Sequence, residues 1–200
     1  MDLDNIPFHA LIVGMTNSGK TQFLVNQLRG PFNGKFDYIV LICPTFEYNR
    51  TLFRFGERDP RLYVIICEQH HVEAWLKLAS FAFKGTNTLI ILDDCAASKD
   101  VKGRTRELVK LGFSARHFGI SVWVLTQQLT SLAKPFRENV VAIVLFCTPS
   151  TKTIKAIFEE YAGILSHDKL KQMISRLNER KFAHLIFGLR FPFSIEENQH

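Results

Sequence analysis

No run of apolar residues in this chain approaches the ~18 needed to cross a bilayer. The opening residues M-D-L-D-N-I-P are acidic and hold no apolar signal core. A soluble, intracellular protein with no membrane partner is expected. Cysteine is sparse: of four, Cys43, Cys67 and Cys147 sit in apolar runs, Cys95 follows an acidic pair, and C-x-x-C never occurs. Buried free thiols in a reducing compartment are the expected state. The run C-E-Q-H-H, Cys67 to His71, lacks a second ligand pair at a zinc-like spacing. There is no internal repeat, and breaks such as Gly30-Pro31 and Thr148-Pro149 are too short to be linkers. One domain over residues 1–200 is expected.

What is there is apolar and mildly basic. The 200 residues are 46% hydrophobic, which excludes a disordered chain and suffices for the core of one α/β domain. A formal charge of +6 favours a polyanionic partner without demanding one. Apolar runs recur at Phe8 to Val13, Tyr38 to Cys43, Leu62 to Cys67, Thr88 to Leu92, Ile120 to Leu125, Val140 to Cys147 and Leu185 to Phe191. Most are continuous rather than alternating, as in strands covered on both faces of a mostly parallel sheet. Helix-like segments lie between them, at Gly19 to Leu28, Val72 to Phe83, Arg104 to Phe113, Thr151 to Tyr161 and His167 to Leu177. That alternation predicts a doubly wound α/β fold with helices on both faces. Most of the 18 phenylalanines, Phe32, Phe36, Phe46, Phe53, Phe55, Phe81 and Phe83 among them, are expected in the core.

The first stretch that carries chemistry is Gly14 to Thr21, G-M-T-N-S-G-K-T, which fits the phosphate-loop pattern G-x-x-x-x-G-K-[ST] at every fixed position. Leu11, Ile12 and Val13 precede it as a strand, and Phe23, Leu24, Val25 and Leu28 follow at roughly helical spacing. Strand, loop and helix together aim backbone N–H groups and a helix N-terminus at a phosphate. Gly14, Asn17, Ser18, Gly19, Lys20 and Thr21 are the expected nucleotide contacts.

Leu89-Ile90-Ile91-Leu92-Asp93-Asp94 is an apolar strand ending in two carboxylates. Side chains alternate along a strand, so one aspartate can hold Mg²⁺ while the other polarises an attacking water. A dedicated base for water points to hydrolysis of ATP. GTP is disfavoured, since no N-K-x-D run occurs. Val122 to Gln128, V-W-V-L-T-Q-Q, is a strand tipped with amides; Gln127 is the first choice to sense the γ-phosphate and Gln128 the second. Arg116, just before that strand, is a candidate to reach a neighbouring subunit's γ-phosphate.

Four ordered pieces, G-M-T-N-S-G-K-T, L-I-I-L-D-D, A-R-H-F-G-I-S-V-W-V-L-T-Q-Q and P-F-R-E-N, span Gly14 to Asn139. They resemble the FtsK-HerA superfamily of DNA-pumping ATPases, and within it the genome-packaging ATPases of poxvirus-like and Polinton-like double-stranded DNA viruses. The resemblance implies a RecA-like P-loop core that binds ATP and Mg²⁺ and assembles as a homo-oligomeric ring. Such a ring translocates duplex DNA without reading its sequence, against a capsid or portal vertex protein. It implies that Lys20 and Thr21 bind phosphates and Mg²⁺, that Asp93 is the metal-associated acid and Asp94 the water-activating one, and that Gln127 is the sensor. Arg116 would be the trans-acting finger, with Arg137 its competitor. The family's commoner second acid is Glu, so the shorter Asp94 must reach farther or act through a shifted water. The loop S-K-D-V-K-G-R-T-R, with Lys99, Lys102, Arg104 and Arg106, is a candidate to track DNA phosphates. The alternatives are a small-molecule or nucleoside kinase and a catalytically weak ring adaptor.

Overall fold

The computed structural model describes residues 7–95, 107–161, 166–190 and 192–198. Its centre is an eight-stranded sheet in the order β3-β2-β4-β5-β1-β6-β7-β8. The strands are β1 (His9–Val13), β2 (Tyr38–Ile42), β3 (Leu62–Ile65), β4 (Thr88–Asp93), β5 (Ile120–Thr126), β6 (Ala142–Phe146), β7 (His184–Gly188) and β8 (Ser194–Asn198). All pairs from β3 to β6 are parallel, while β7 and β8 are antiparallel. Seven α-helices are described: α1 (Lys20–Arg29), α2 (Arg50–Gly56), α3 (Val72–Ala82), α4 (Glu107–Ser114), α5 (Lys134–Arg137), α6 (Thr151–Tyr161) and α7 (His167–Glu179).

The continuous apolar runs have the cause inferred for them. In β1, Ala10 and Ile12 pack with Leu24, Val25 and Leu28 of α1 and with Leu52 and Phe55 of α2 on one face. Leu11 and Val13 point to the other face, against a core that includes Leu76 of α3, Leu111 of α4, Phe136 of α5, Ile157 of α6 and Ile174 of α7. A strand with helices on both sides has no solvent face, so it needs no polar alternation. Phe32, Phe36, Phe46 and Phe55 lie in the core as expected, but Phe53 and Phe81 are exposed, the latter by 79%.

Elements without an apolar signature were not foreseen. Helix α2 is started by Asn49, whose side-chain oxygen accepts from the Leu52 N–H at 3.3 Å. Strand β8, S-I-E-E-N, is a polar edge strand held by pairing with β7. The antiparallel course of β7 follows from the two helices before it: α6 carries the chain away from the end of β6 and α7 carries it back. His184, at the start of β7, therefore pairs with Phe146 at the end of β6. The basic residues Lys99, Lys102, Arg104 and Arg106 lie outside the described residues.

The entrance to β5 is fixed by a glycine. Gly119 has φ of +75°, and a Cβ there would stand 2.5 Å from Thr86 O. Its N–H donates to Arg116 O at 3.3 Å, and its own carbonyl accepts from the Thr88 N–H at 3.2 Å. Gly119→Ala meets both a backbone clash and an unfavourable φ, so it should destabilise the fold by about 1–3 kcal/mol. Thermal denaturation checks this, and an unchanged midpoint would show that the turn yields freely.

Candidate active site

The parallel strands bring the loop and acid motifs to one edge of the sheet. Val13, the last residue of β1, is level with Thr126 of β5, and Asp93 of β4 is level with Leu125. Strand β5 lies between β1 and β4, so its tip enters the crevice between the phosphate loop and the acids. A cavity of about 400 Å³ is lined there by Asn17, Lys20, Thr21, Asp93, Asp94, Gln127 and Gln128. Residues far apart in sequence thus meet at the carboxyl ends of the strands, where open α/β sheets bind ligands.

The loop's shape is set by its glycines and by its neighbours' backbones. A Cβ on Gly14 would stand 2.5 Å from Phe146 Cβ, and Gly19 has φ of +104°. Asn17 also takes a positive φ, 61°, which asparagine tolerates better than most residues. Gly14 N–H donates to Thr126 O at 3.1 Å and Met15 N–H to Cys147 O at 3.0 Å. Ser18 packs inward, its hydroxyl buried without a hydrogen-bond partner. Helix α1 begins without a side-chain cap or an acidic residue in its first turn, which leaves its N-terminal dipole to an anion. Lys20 Nζ donates to Gly14 O at 2.8 Å and to Met15 O at 2.9 Å. Burial lowers the Lys20 pKa, and Asp93 and Asp94 oppose that shift.

The two aspartates have different surroundings. Asp93 is buried, and burial, followed by the neighbouring Asp94 charge, pushes its pKa up to about 6 against the pull of Lys20. Asp94 is exposed and leaves the strand with φ of 58°. Its Oδ2 accepts from the Thr45 hydroxyl at 3.2 Å, and its carbonyl accepts from Gln69 Nε2 at 2.7 Å. The hydroxyl of Thr21 and the carboxylate of Asp93 are hard oxygen donors facing one open cavity. They fit a small divalent cation such as Mg²⁺, and a carboxylate short of compensating charge would gain from one. Beneath them, burial and then Asp93 raise the Cys43 pKa to about 11, so this thiol is protonated and unreactive.

Thr45 and Gln69 were missed in the sequence. Neither belongs to a motif: Thr45 reaches Asp94 because β2 lies beside β4, and Gln69 reaches it from the turn after β3, one strand farther out, both of which only the strand order reveals. Gln127 and Gln128 both line the cavity. The Gln128 backbone is tied down, its carbonyl accepting from Ser131 Oγ at 2.6 Å and its N–H donating to Thr126 Oγ1 at 3.2 Å.

The two arginines part company. Arg116 precedes β5, at the sheet edge opposite the cavity, about 20 Å away at ~3.3 Å per strand residue. It is exposed and donates to Asn139 O at 3.3 Å. It cannot reach the nucleotide site of its own chain. Arg137, the expected competitor, is only 6% exposed. Its Nε donates to Glu160 Oε2 at 3.0 Å and its Nη1 to Leu132 O at 2.6 Å, with a second bond from Nη2 to Glu160. Its fork is bound within the chain, where it pins α5 to α6.

A strand, phosphate loop and helix, with carboxylates ending a parallel strand one position beyond β5, define a P-loop NTPase of α/β RecA-like fold. The sequence matches the family described as Poxvirus A32 protein over residues 1–187. The chain belongs to that family, as its four ordered motifs implied. Among curated proteins none matches the sequence significantly. The fold is similar to the genome packaging NTPase B204 of Sulfolobus turreted icosahedral virus 2 in complex with AMP, with a TM-score of 0.73 at 14% identity, covering 100% of this chain and 98% of that one. The complex of B204 with ATP-gammaS gives a TM-score of 0.71 at 17% identity, again over 100% and 98% of the two chains. The cytoplasmic domain of the Type VII secretion ATPase EccC from Thermomonospora curvata gives a TM-score of 0.66 at 13% identity, over 100% of this chain and 27% of that one. No helix among the described residues is long and apolar enough to cross a membrane.

Two outcomes follow from these surroundings. Asp93 carries a raised pKa in the metal-free protein, so its charge opposes folding fully above about pH 6, and the penalty is released as pH falls toward the unfolded value of 3.8. Acidification through that window should therefore stabilise wild type relative to Asp93→Asn by about 3 kcal/mol, because each pH unit separating the folded and unfolded pKa contributes about 1.4 kcal/mol. Parallel melting curves of the two proteins from pH 4 to 7 measure it, and parallel pH profiles would refute the buried-acid reading. Arg137→Ala leaves Glu160 unpaired and should cost about 3–5 kcal/mol of stability. Arg116→Ala should leave the melting midpoint nearly unchanged; equal losses would make both arginines structural.

Proposed function

We propose that this chain is an ATP hydrolase that works as a homo-oligomeric ring to drive double-stranded DNA into a viral capsid. The observation that carries the reading is the convergence of Lys20, Thr21, Asp93, Asp94 and Gln127 on one cavity. Membership of the A32 family and the likeness to packaging NTPases support it. On binding ATP, Lys20 exchanges the carbonyls of Gly14 and Met15 for phosphate oxygens. Mg²⁺ held by Thr21 and Asp93 would neutralise charge on the phosphates. Asp94 accepts a proton as water attacks the γ-phosphorus: the new P–O bond forms and the bond to ADP breaks. An exposed Asp94, turned out of its strand, fits this role although it is shorter than Glu. The Gln127 amide orients the water or reads the γ-phosphate.

Arg116 completes the site in trans. Its exposure, and its distance from the cavity of its own chain, suit a side chain that stabilises charge on a neighbour's nucleotide. The DNA, the capsid or portal partner and the virion assembly site in an infected cell follow from the family reading. The basic residues Lys99, Lys102, Arg104 and Arg106 are candidates to contact DNA phosphates.

Linear duplex DNA should raise phosphate release from ATP. A small-molecule kinase would ignore DNA, and a ring adaptor would release nothing. Asp94→Asn should retain nucleotide while turnover falls by about 10²-fold or more. Mixing it with equally inactive Arg116→Ala should recover part of the activity, because an Asp94→Asn subunit lends its arginine to a neighbour with an intact base. If mixed oligomers form and recover nothing, the trans role of Arg116 is lost.

A further inference from the structure

A second cleft, of about 730 Å³, meets the catalytic cavity over Lys20 and Thr21. The inner cavity ends at the acids and amides, so on the functional reading above it takes the γ-phosphate. The ribose and base of the same nucleotide must then emerge across Lys20 and Thr21 into the outer cleft. Two aromatic residues, Tyr48 and Phe182, border that cleft.

Phe182 is the better placed. It stands at the entrance to β7, two residues before His184, which pairs with Phe146 beside the phosphate loop. Its ring lies against the loop, with Cδ1 3.1 Å from the position a Gly19 Cβ would occupy. It is 47% exposed, belongs to neither apolar cluster, and adopts φ of 66°, a conformation bulky residues avoid. Core packing explains none of this. The ring already receives a cation, Lys181 Nζ, 5.0 Å from its centroid. Lys181 is an exposed, flexible side chain that a flat π surface can displace. Tyr48, by contrast, is 85% exposed and ends the short turn just before α2.

We propose that Phe182 is the platform on which the nucleobase of the bound nucleotide stacks, with Lys181 moving from the ring toward the ribose and phosphates. Every base offers a π face, so the platform supplies affinity with little choice between purines.

Calorimetric titration with two probes in the presence of Mg²⁺ tests the proposal: the β,γ-imido analogue of ATP, and tripolyphosphate, which has no base. Phe182→Ala should weaken the analogue by about 5- to 150-fold, the range of base–aromatic stacking, and leave tripolyphosphate within about twofold. Phe182→Gly relieves the positive φ and should show the same selective loss, which separates it from a folding defect. In Phe182→Trp, affinity should persist, and the added indole emission should be quenched by the analogue but not by tripolyphosphate. Equal weakening of both probes would show that Phe182 only shapes the loop. Unchanged affinity in Phe182→Ala, or a loss seen in Tyr48→Ala instead, would also overturn the proposal while the nucleotide site stands. If wild type binds neither probe, the functional reading itself fails.

Discussion

The phosphate loop is suspended between two strand ends, by the hydrogen bonds from Gly14 N–H to Thr126 O and from Met15 N–H to Cys147 O. Both acceptors belong to strands adjacent to β1, and each is the residue at which, or just after which, its strand stops. A loop that must turn its N–H groups toward an anion cannot satisfy them all internally. Tethering the first two to β5 and β6, with the Ser18 N–H donating to Met15 O at 3.3 Å, keeps the loop in register with the acids. The absence of side chains at Gly14 and Gly19 serves the same end, because Phe146 occupies the space a Gly14 Cβ would need and Gly19 takes a φ of +104°. Much of the sheet's middle can be understood as a frame for that suspension.

Charge in the site is held in a poorly hydrated setting by the same frame. Asp93 terminates a strand buried along its whole length, so its carboxylate is desolvated, while Asp94 turns out of the strand to solvent. Lys20, partly buried, faces both. The cation is parked on loop carbonyls and one acid is reluctant to ionise, so positive charge brought by a substrate complex relieves a cost already built into the fold. Thr45 adds to this by holding the Asp94 carboxylate from the neighbouring strand.

The sheet and the phosphate-binding half of the site were legible in the chain, because both write themselves into local patterns. Continuous apolar runs announced β1, β2, β4, β5 and β6, and G-M-T-N-S-G-K-T announced the loop. The misses share a cause: β8 and α2 owe their existence to partners rather than to their own periodicity. Thr45 matters only because β2 neighbours β4, and Gln69 only because the turn after β3 reaches across β2 to the end of β4. The motifs put Arg116 first and Arg137 as its competitor, and only packing shows the one exposed and the other bound to Glu160. The antiparallel turn of β7, which brings Phe182 to the loop, depends on two helices in succession rather than on any residue of β7 itself.

Strand β5 is hydrogen-bonded to β4 on one side and β1 on the other along its length. Gln127 follows its carboxyl end, and Arg116 stands before its amino end. A strand clamped on both flanks cannot slide past its neighbours, so β5 holds the amide and the guanidinium at a fixed separation. The distance from the cavity to the face that carries Arg116 is thereby set by the length of one strand.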